Sequence, residues 1–229
     1  MNPQQAVKLS GIRAAIIDLD GTMVDTALDF HAAVNRMRED LSLPQQDIAL
    51  VRTFVGKGFV PLVRSSLGVD FPPEEVERIF PQARQSFLSH YTEVNGQWSR
   101  LYPEVKDGLM AMRDKGLRLA CVTNKQGVFA LPLLAKMGVH ELFDAIFPGD
   151  AFEKKKPDPM PMLAVCERFG VAPKEVVAVG DSTNDSEAAR AAGCWVLAVN
   201  YGYNHGRPVQ ELDSDGIVHS LMEAARCIA

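Results

Sequence analysis

The chain has 229 residues, 47% of them apolar and 23% charged, the balance of a globular protein with enough apolar side chains for one or two domains. A net charge of −5 argues against a nucleic-acid-binding surface, which needs clustered Lys and Arg. It does not exclude small anionic ligands, because a local site can be positive on an acidic protein.

The first strong signal is Ala14-Ala15-Ile16-Ile17, an apolar run that reads as a buried strand. Asp18, Asp20 and Asp25 follow where that strand ends. Asp18 and Asp20 are two apart, so in extended chain they face the same side. Carboxylates aimed at one point repel, and a cation relieves the repulsion. A small set of hard oxygen ligands suits Mg²⁺, which keeps several waters and pairs with phosphates. Gly21 permits a sharp turn after the acids, and Thr22 offers a hydroxyl and a backbone N–H there. A plain acidic turn is the structural alternative.

From 27 to 97 the patterning is helical. Phe30, Ala33, Val34 and Met37 recur at three- and four-residue spacing. Two shorter helices, Asp47 to Val55 and Phe59 to Leu67, flank Gly56-Lys57-Gly58, and Pro72-Pro73-Glu74-Glu75 starts a helix running towards Tyr91. From Tyr102-Pro103 onwards helices and strands alternate, which predicts a parallel α/β sheet. Strands are expected at Arg118 to Val122, Ala145 to Phe147, Val176 to Val179, Trp195 to Val199 and Gly216 to Val218. Helices are expected at Pro103 to Lys115, Gly127 to Met137, Pro159 to Phe169, Ser186 to Ala192 and Leu221 to Ile228. The fold expected is therefore a doubly wound, Rossmann-like α/β core formed by 1–26 and 98–229, interrupted by an all-helical cap domain at 27–97. Ligands in such sheets bind beyond the carboxyl ends of the strands.

Polar groups follow three of the expected strands. Thr123-Asn124 brings a hydroxyl and an amide that can donate to a phosphoryl oxygen; a helix cap is the alternative. Lys156 precedes Pro157, which restricts its backbone and gives its side chain a definite direction, whereas Lys154 and Lys155 read as surface. Asp181 and Asp185 are four apart and share a face if both lie in the first turn of the next helix, where acids are also common capping devices. In the Gly56-Lys57-Gly58 loop the glycines allow close backbone approach and Lys57 offers a cation, although a turn between helices would read the same way.

Asp18-Leu19-Asp20-Gly21-Thr22, Thr123, Lys156 and Gly180-Asp181-Ser182-Thr183-Asn184-Asp185 resemble, in order, the four motifs of the haloacid dehalogenase-like hydrolases. The resemblance extends along essentially the whole chain. It implies Asp18 as nucleophile and Asp20 as acid/base. Thr123 and Lys156 would hold phosphoryl oxygens, and Gly21, Thr22, Asn124, Gly56 and Lys57 would help bind the substrate. Mg²⁺ would be held by Asp18, Asp181 and the backbone carbonyl of Asp20, with Asp185 orienting from behind. Dehalogenases of this fold carry a different residue at the Asp20 position, so Asp20 points to phosphate esters. Thr53 to Gly58, Val122 to Lys125 and Tyr201 to Gly206 further resemble the phosphoglycolate phosphatases. Rivals of the same fold are a phosphosugar mutase, a pyrophosphatase or a broad phosphomonoesterase. Non-enzymatic rivals are a phospho-receiver or a scaffold.

Cys121, Cys166, Cys194 and Cys227 have no metal-ligand spacing and read as free thiols of a reducing cytosol. The start MNPQQAVKLSG lacks a secretory apolar core and no run is long enough to span a membrane, so a cytoplasmic enzyme acting on a small phosphorylated metabolite, monomeric or homodimeric, is expected.

Overall fold

The computed structural model describes residues 8–229. Residues 1–7, and with them part of the expected core segment and of the N-terminal reading, lie outside it.

The chain enters a central strand, β1 (Ala14–Ile17), and turns into a two-residue strand, β2 (Val24–Asp25). Four helices follow: α1 (Ala27–Asp40), α2 (Ile48–Phe54), α3 (Phe59–Leu67) and α4 (Pro73–Val94). The chain returns through β3 (Arg100–Leu101), antiparallel to β2, and then alternates. Along it come α5 (Val105–Asp114), β4 (Arg118–Val122), α6 (Gly127–Lys136), β5 (Ala145–Phe147) and α7 (Met160–Phe169). The last elements are β6 (Val176–Gly180), α8 (Thr183–Ala192), β7 (Trp195–Val199), β8 (Gly216–Val218) and α9 (Leu221–Cys227).

The main sheet is parallel with strand order β5-β4-β1-β6-β7-β8. The connections run one way from β1 through β4 to β5 and the other way from β6 to β8, so the topological switch lies at β1. Both faces of the sheet are covered, as a parallel sheet requires. Ile17, Leu119, Cys121 and Val179 fill one side, with α5 and α9; Ile16, Ala120, Val122 and Ala178 fill the other, with residues of α7 and α8. The helices α1–α4 share a separate core. Phe30 stacks on Tyr91 with ring centroids 4.8 Å apart, and Tyr91 on Phe87 at 5.4 Å. Phe129 of α6 and Tyr203 join this cluster, so the helical lobe is seated on the core rather than tethered to it.

The β2–β3 ribbon marks where the chain leaves and re-enters the core, and no sequence pattern revealed it because two residues carry no period. It is reinforced by Asp29, fully buried, whose carboxylate accepts from Gly96 N at 2.6 Å, Trp98 N at 2.8 Å and the Ser99 hydroxyl. Two expected helix starts shift by two residues or more. α5 begins at Val105 rather than Pro103, because Glu104 has φ +59, outside the helical basin. α8 begins at Thr183, three residues before Ser186, because Asp185 caps it.

Candidate active site

The centre is built where β1 stops. Asp18 N donates to Val179 O at 3.0 Å, continuing the β1–β6 ladder by one step and fixing the Asp18 side chain beyond the strand end. Lys156, buried in the loop before α7, directs its ammonium into the same space. It donates to Asp18 Oδ1 at 2.6 Å, Asp185 Oδ1 at 2.6 Å and Val122 O at 2.7 Å. An ammonium has three N–H groups, so Lys156 is fully satisfied by these three acceptors.

Asp181 and Asp185 reach the centre differently from the sequence reading. Asp185 lies in the first turn of α8, and its Oδ2 accepts from Ser182 N at 3.2 Å and Ser182 Oγ at 2.8 Å, a cap that closes the helix. Asp181 precedes the cap and lies outside the helix, so helical spacing does not bring the two acids together; the loop after β6 does. Asp181 Oδ2 accepts from Tyr203 N at 2.6 Å and Asn204 N at 3.3 Å, and Oδ1 from Thr22 Oγ1 at 3.3 Å. The approach is close. A Cβ on Gly21, whose φ is +88, would stand 2.5 Å from Asp181 Oδ2, and one on Gly202 would stand 2.1 Å from Asp181 Cβ.

One oxygen from each of Asp18, Asp181 and Asp185 lies within 4.8 Å of the others. Burial, reinforced by Asp185 and Asp181, pushes the Asp18 carboxyl well above the usual carboxylate range despite the nearby Lys156. Burial, reinforced by Asp185, pushes Asp181 up to about 7, even though two backbone N–H groups act the other way. Burial alone would lower the Lys156 ammonium; Asp18 and Asp185 more than reverse this and keep it charged. Three carboxylates beside one ammonium leave two negative charges uncompensated when all are ionised. This all-oxygen, buried donor set fits a hard divalent cation and could hold one.

Asp20 shares a cavity with Asp18 of this cluster. Asp18 and Asp20 both line it, yet their carboxylates have different neighbours, because Asp20 has already left the strand for the turn closed by Val24. Asp20 Oδ1 accepts from Thr26 Oγ1 at 2.7 Å and from Lys125 Nζ at 2.8 Å. The cavity has Thr123, Lys125 and Gln126 on its core side and Phe30, Phe59 and Tyr91 on the lobe side.

Three substrate-binding expectations change in detail. Asn124 does not offer its amide to a ligand: Nδ2 donates to Gly56 O at 3.0 Å and to Lys156 O at 2.9 Å, so both N–H groups bind the lobe loop and the lysine's own backbone. Gly56 and Gly58 line the cavity, but Lys57 is exposed and does not; its carbonyl accepts from Lys155 Nζ at 2.8 Å. Thr22 is buried with its hydroxyl on Asp181. Thr123 Oγ1 accepts from Lys125 N at 3.1 Å, which leaves its proton free to donate. Sequence reasoning gave no role to Lys125, Thr26 or the backbone of Tyr203 and Asn204, although Lys125 and the Tyr201–Gly206 stretch belong to the segments that carry the family resemblance.

The family model described as haloacid dehalogenase-like hydrolase matches residues 15–199. A phosphoglycolate phosphatase of Thiobacillus denitrificans is 46% identical over 214 residues, 93% of this chain and 94% of that protein. One of Nitrosospira multiformis is 46% identical over 217 residues, 95% of this chain and 96% of that protein. The crystal structure of a predicted phosphoglycolate phosphatase from Haemophilus somnus superposes with a TM-score of 0.87 at 32% identity, covering 94% of this chain and 97% of that one. With these likenesses spanning both the sheet and the helical lobe, and with the motif residues following the carboxyl ends of β1, β4 and β6, the chain belongs to the haloacid dehalogenase-like hydrolases.

Proposed function

We propose that this chain is a Mg²⁺-dependent phosphomonoester hydrolase that works through an aspartyl-phosphate and acts on 2-phosphoglycolate. The observation that carries the reaction class is the pair of unlike aspartates on one cavity: Asp18 in a buried carboxylate cluster with Lys156, and Asp20 held apart from it by Thr26 and Lys125. The substrate is supported by the relatives above, which carry that name over nearly their full length.

In this reading Asp18 attacks phosphorus in line, expels the alkoxide and becomes the acyl phosphate, dividing one difficult hydrolysis into two easier steps. Both hydrogen bonds of Asp20 fall on Oδ1, which leaves Oδ2 to protonate the leaving oxygen and later to take a proton from the attacking water. Thr123 Oγ1 donates to a phosphoryl oxygen, and Lys156 steadies Asp18 and offsets developing charge. Asp18 and Asp181, with the Asp20 backbone carbonyl, would hold Mg²⁺, while Asp185, engaged by Lys156 and Ser182, orients the lysine. When bound, the ion neutralises phosphoryl charge and aligns the nucleophile. The lobe over 27–97 acts as the cap that excludes water and reads the leaving group. The four cysteines are free and buried, consistent with work in a reducing compartment. Among the described residues no helix is long and apolar enough to cross a membrane.

The test is phosphate release from 2-phosphoglycolate beside sugar phosphates, pyrophosphate and nucleotides, with Mg²⁺ and with EDTA. A metal-dependent kcat/KM far higher for 2-phosphoglycolate is expected. Metal-dependent release with another preferred ester would retain the mechanism and discard the substrate. No release from any ester would return the receiver and scaffold readings.

A further inference from the structure

Lys125 is a buried cation that the catalytic scheme uses only to hold Asp20. It follows Thr123-Asn124 beyond β4, and among the described residues it is the only Lys, Arg or His lining the cavity. Its Nζ donates to Asp20 Oδ1 at 2.8 Å. It has no other hydrogen-bond acceptor among the described residues, although an ammonium carries three N–H groups. Its remaining surroundings are aromatic faces: Nζ lies 4.4 Å from the Phe30 ring centroid and 5.0 Å from that of Tyr91. Cation–π contact steadies the charge without consuming an N–H.

We propose that Lys125 is the specificity-determining cation of this site, and that it pairs with a carboxylate carried one or two carbons from the ester oxygen. The proposal rests on the phosphatase reading above and assigns the recognition of the substrate's acid group within it. The leaving oxygen must come within hydrogen-bond reach of Asp20, and Lys125 touches Asp20. A carboxylate on the carbon that bears that oxygen, or on the next, therefore falls beside the ammonium. Around this point the lobe offers the apolar side chains of Phe30, Phe59 and Leu62, with the Tyr91 hydroxyl, itself without a hydrogen-bond partner among the described residues, as the one polar group among them and no second cation. An anionic tail entering such walls stays uncompensated unless it meets a cation, and Lys125 is the one there. The assignment also replaces Lys57, whose side chain is exposed and lines no part of the cavity.

The experiment compares 2-phosphoglycolate with its neutral amide, 2-phosphoglycolamide, on the wild-type protein and on Lys125→Met, which keeps an unbranched apolar stem against the rings. Wild type should prefer the carboxylate in kcat/KM, and Lys125→Met should shrink the carboxylate-to-amide ratio by on the order of 100-fold, the size of effect seen when a buried charge partner is removed. The ratio is the readout because Lys125 also touches Asp20. If the lysine only positions Asp20, or only holds a phosphoryl oxygen, both substrates lose rate together and the ratio stays fixed, which overturns the proposal. Should the variant not fold, the wild type alone still decides: equal kcat/KM for carboxylate and amide overturns it, and a large preference supports it together with retention of that preference in Lys125→Arg. Failure of wild type to hydrolyse any ester overturns the phosphatase reading instead, and this assignment with it.

Discussion

Replacing Lys156 by Met should unbalance the centre in a way that depends on pH and metal. The ammonium contacts Asp18 and Asp185 at 2.6 Å each and Val122 O at 2.7 Å, all buried. Removing one partner of a buried ion pair costs about 3–5 kcal/mol, because a charge is left behind without compensation. Here two carboxylates lose their cation while a third, Asp181, lies within 4.8 Å. Asp18 already sits well above its ordinary range and Asp181 at about 7 against an ordinary 3.8. A carboxyl whose pKa is higher in the folded than in the unfolded state binds more protons when folded, so stability falls as pH rises between the two values. Loss of Lys156 raises the folded values further. The penalty of Lys156→Met in metal-free protein should therefore be largest at pH 8 and smallest near pH 5, and Mg²⁺ should recover part of it at pH 8 by binding the folded form. Urea denaturation of both proteins at pH 5, 6.5 and 8, with EDTA and with Mg²⁺, measures this. A penalty independent of pH and unmoved by Mg²⁺ would refute the electrostatic account of the centre.

Three further outcomes are expected. Metal affinity should weaken by roughly tenfold between pH 8 and pH 6, because protons compete for Asp181 around pH 7; calorimetric titration of Mg²⁺ at the two pH values shows it, and a flat affinity would count against Asp181 as a ligand. Gly21→Ala should lose most activity and about 1–3 kcal/mol of stability, since its Cβ would stand 2.5 Å from Asp181 Oδ2 at a φ of +88; wild-type turnover in this variant would contradict the close approach. Asp29→Ala should cost about 3 kcal/mol or more by stranding the donors of Gly96, Trp98 and Ser99. In that variant protease cutting should concentrate at 95–99, and an unchanged denaturation midpoint would show that Asp29 does not hold the ribbon junction.

The strands were legible because a parallel sheet buries both faces, which forces continuous apolar runs bounded by polar turns. Arg118–Val122, Ala145–Phe147, Trp195–Val199 and Gly216–Val218 have the limits that the sequence suggests. The helical lobe was legible through its three- and four-residue apolar spacing, and Asp47 and Val55 prove to be the caps of α2 rather than its ends. What stayed hidden depends on contacts between distant segments. Val24 pairs with Leu101 across the whole lobe, and neither residue has a pattern of its own. The Asn124 amide is spent on Gly56 O, 68 positions away, which no local spacing records. Lys125 stands in an ordinary polar tripeptide after a strand, and only the fold shows that Phe30 and Tyr91 of the lobe enclose it. Asp181 and Asp185 were recognisable as a pair, but their convergence comes from a loop and a helix cap rather than from one helix face.

The central claim is that Asp18 carries the phosphoryl group during turnover. Acid quenching of the protein during steady-state hydrolysis, followed by peptide mass mapping, tests it directly. The expected result is one phosphoryl group on the peptide containing Asp18, labile at alkaline pH and absent from Asp18→Asn, which should also lack turnover while keeping the wild-type circular dichroism. Turnover by Asp18→Asn at a substantial fraction of the wild-type rate, or a phosphoryl group trapped on another residue, would contradict it.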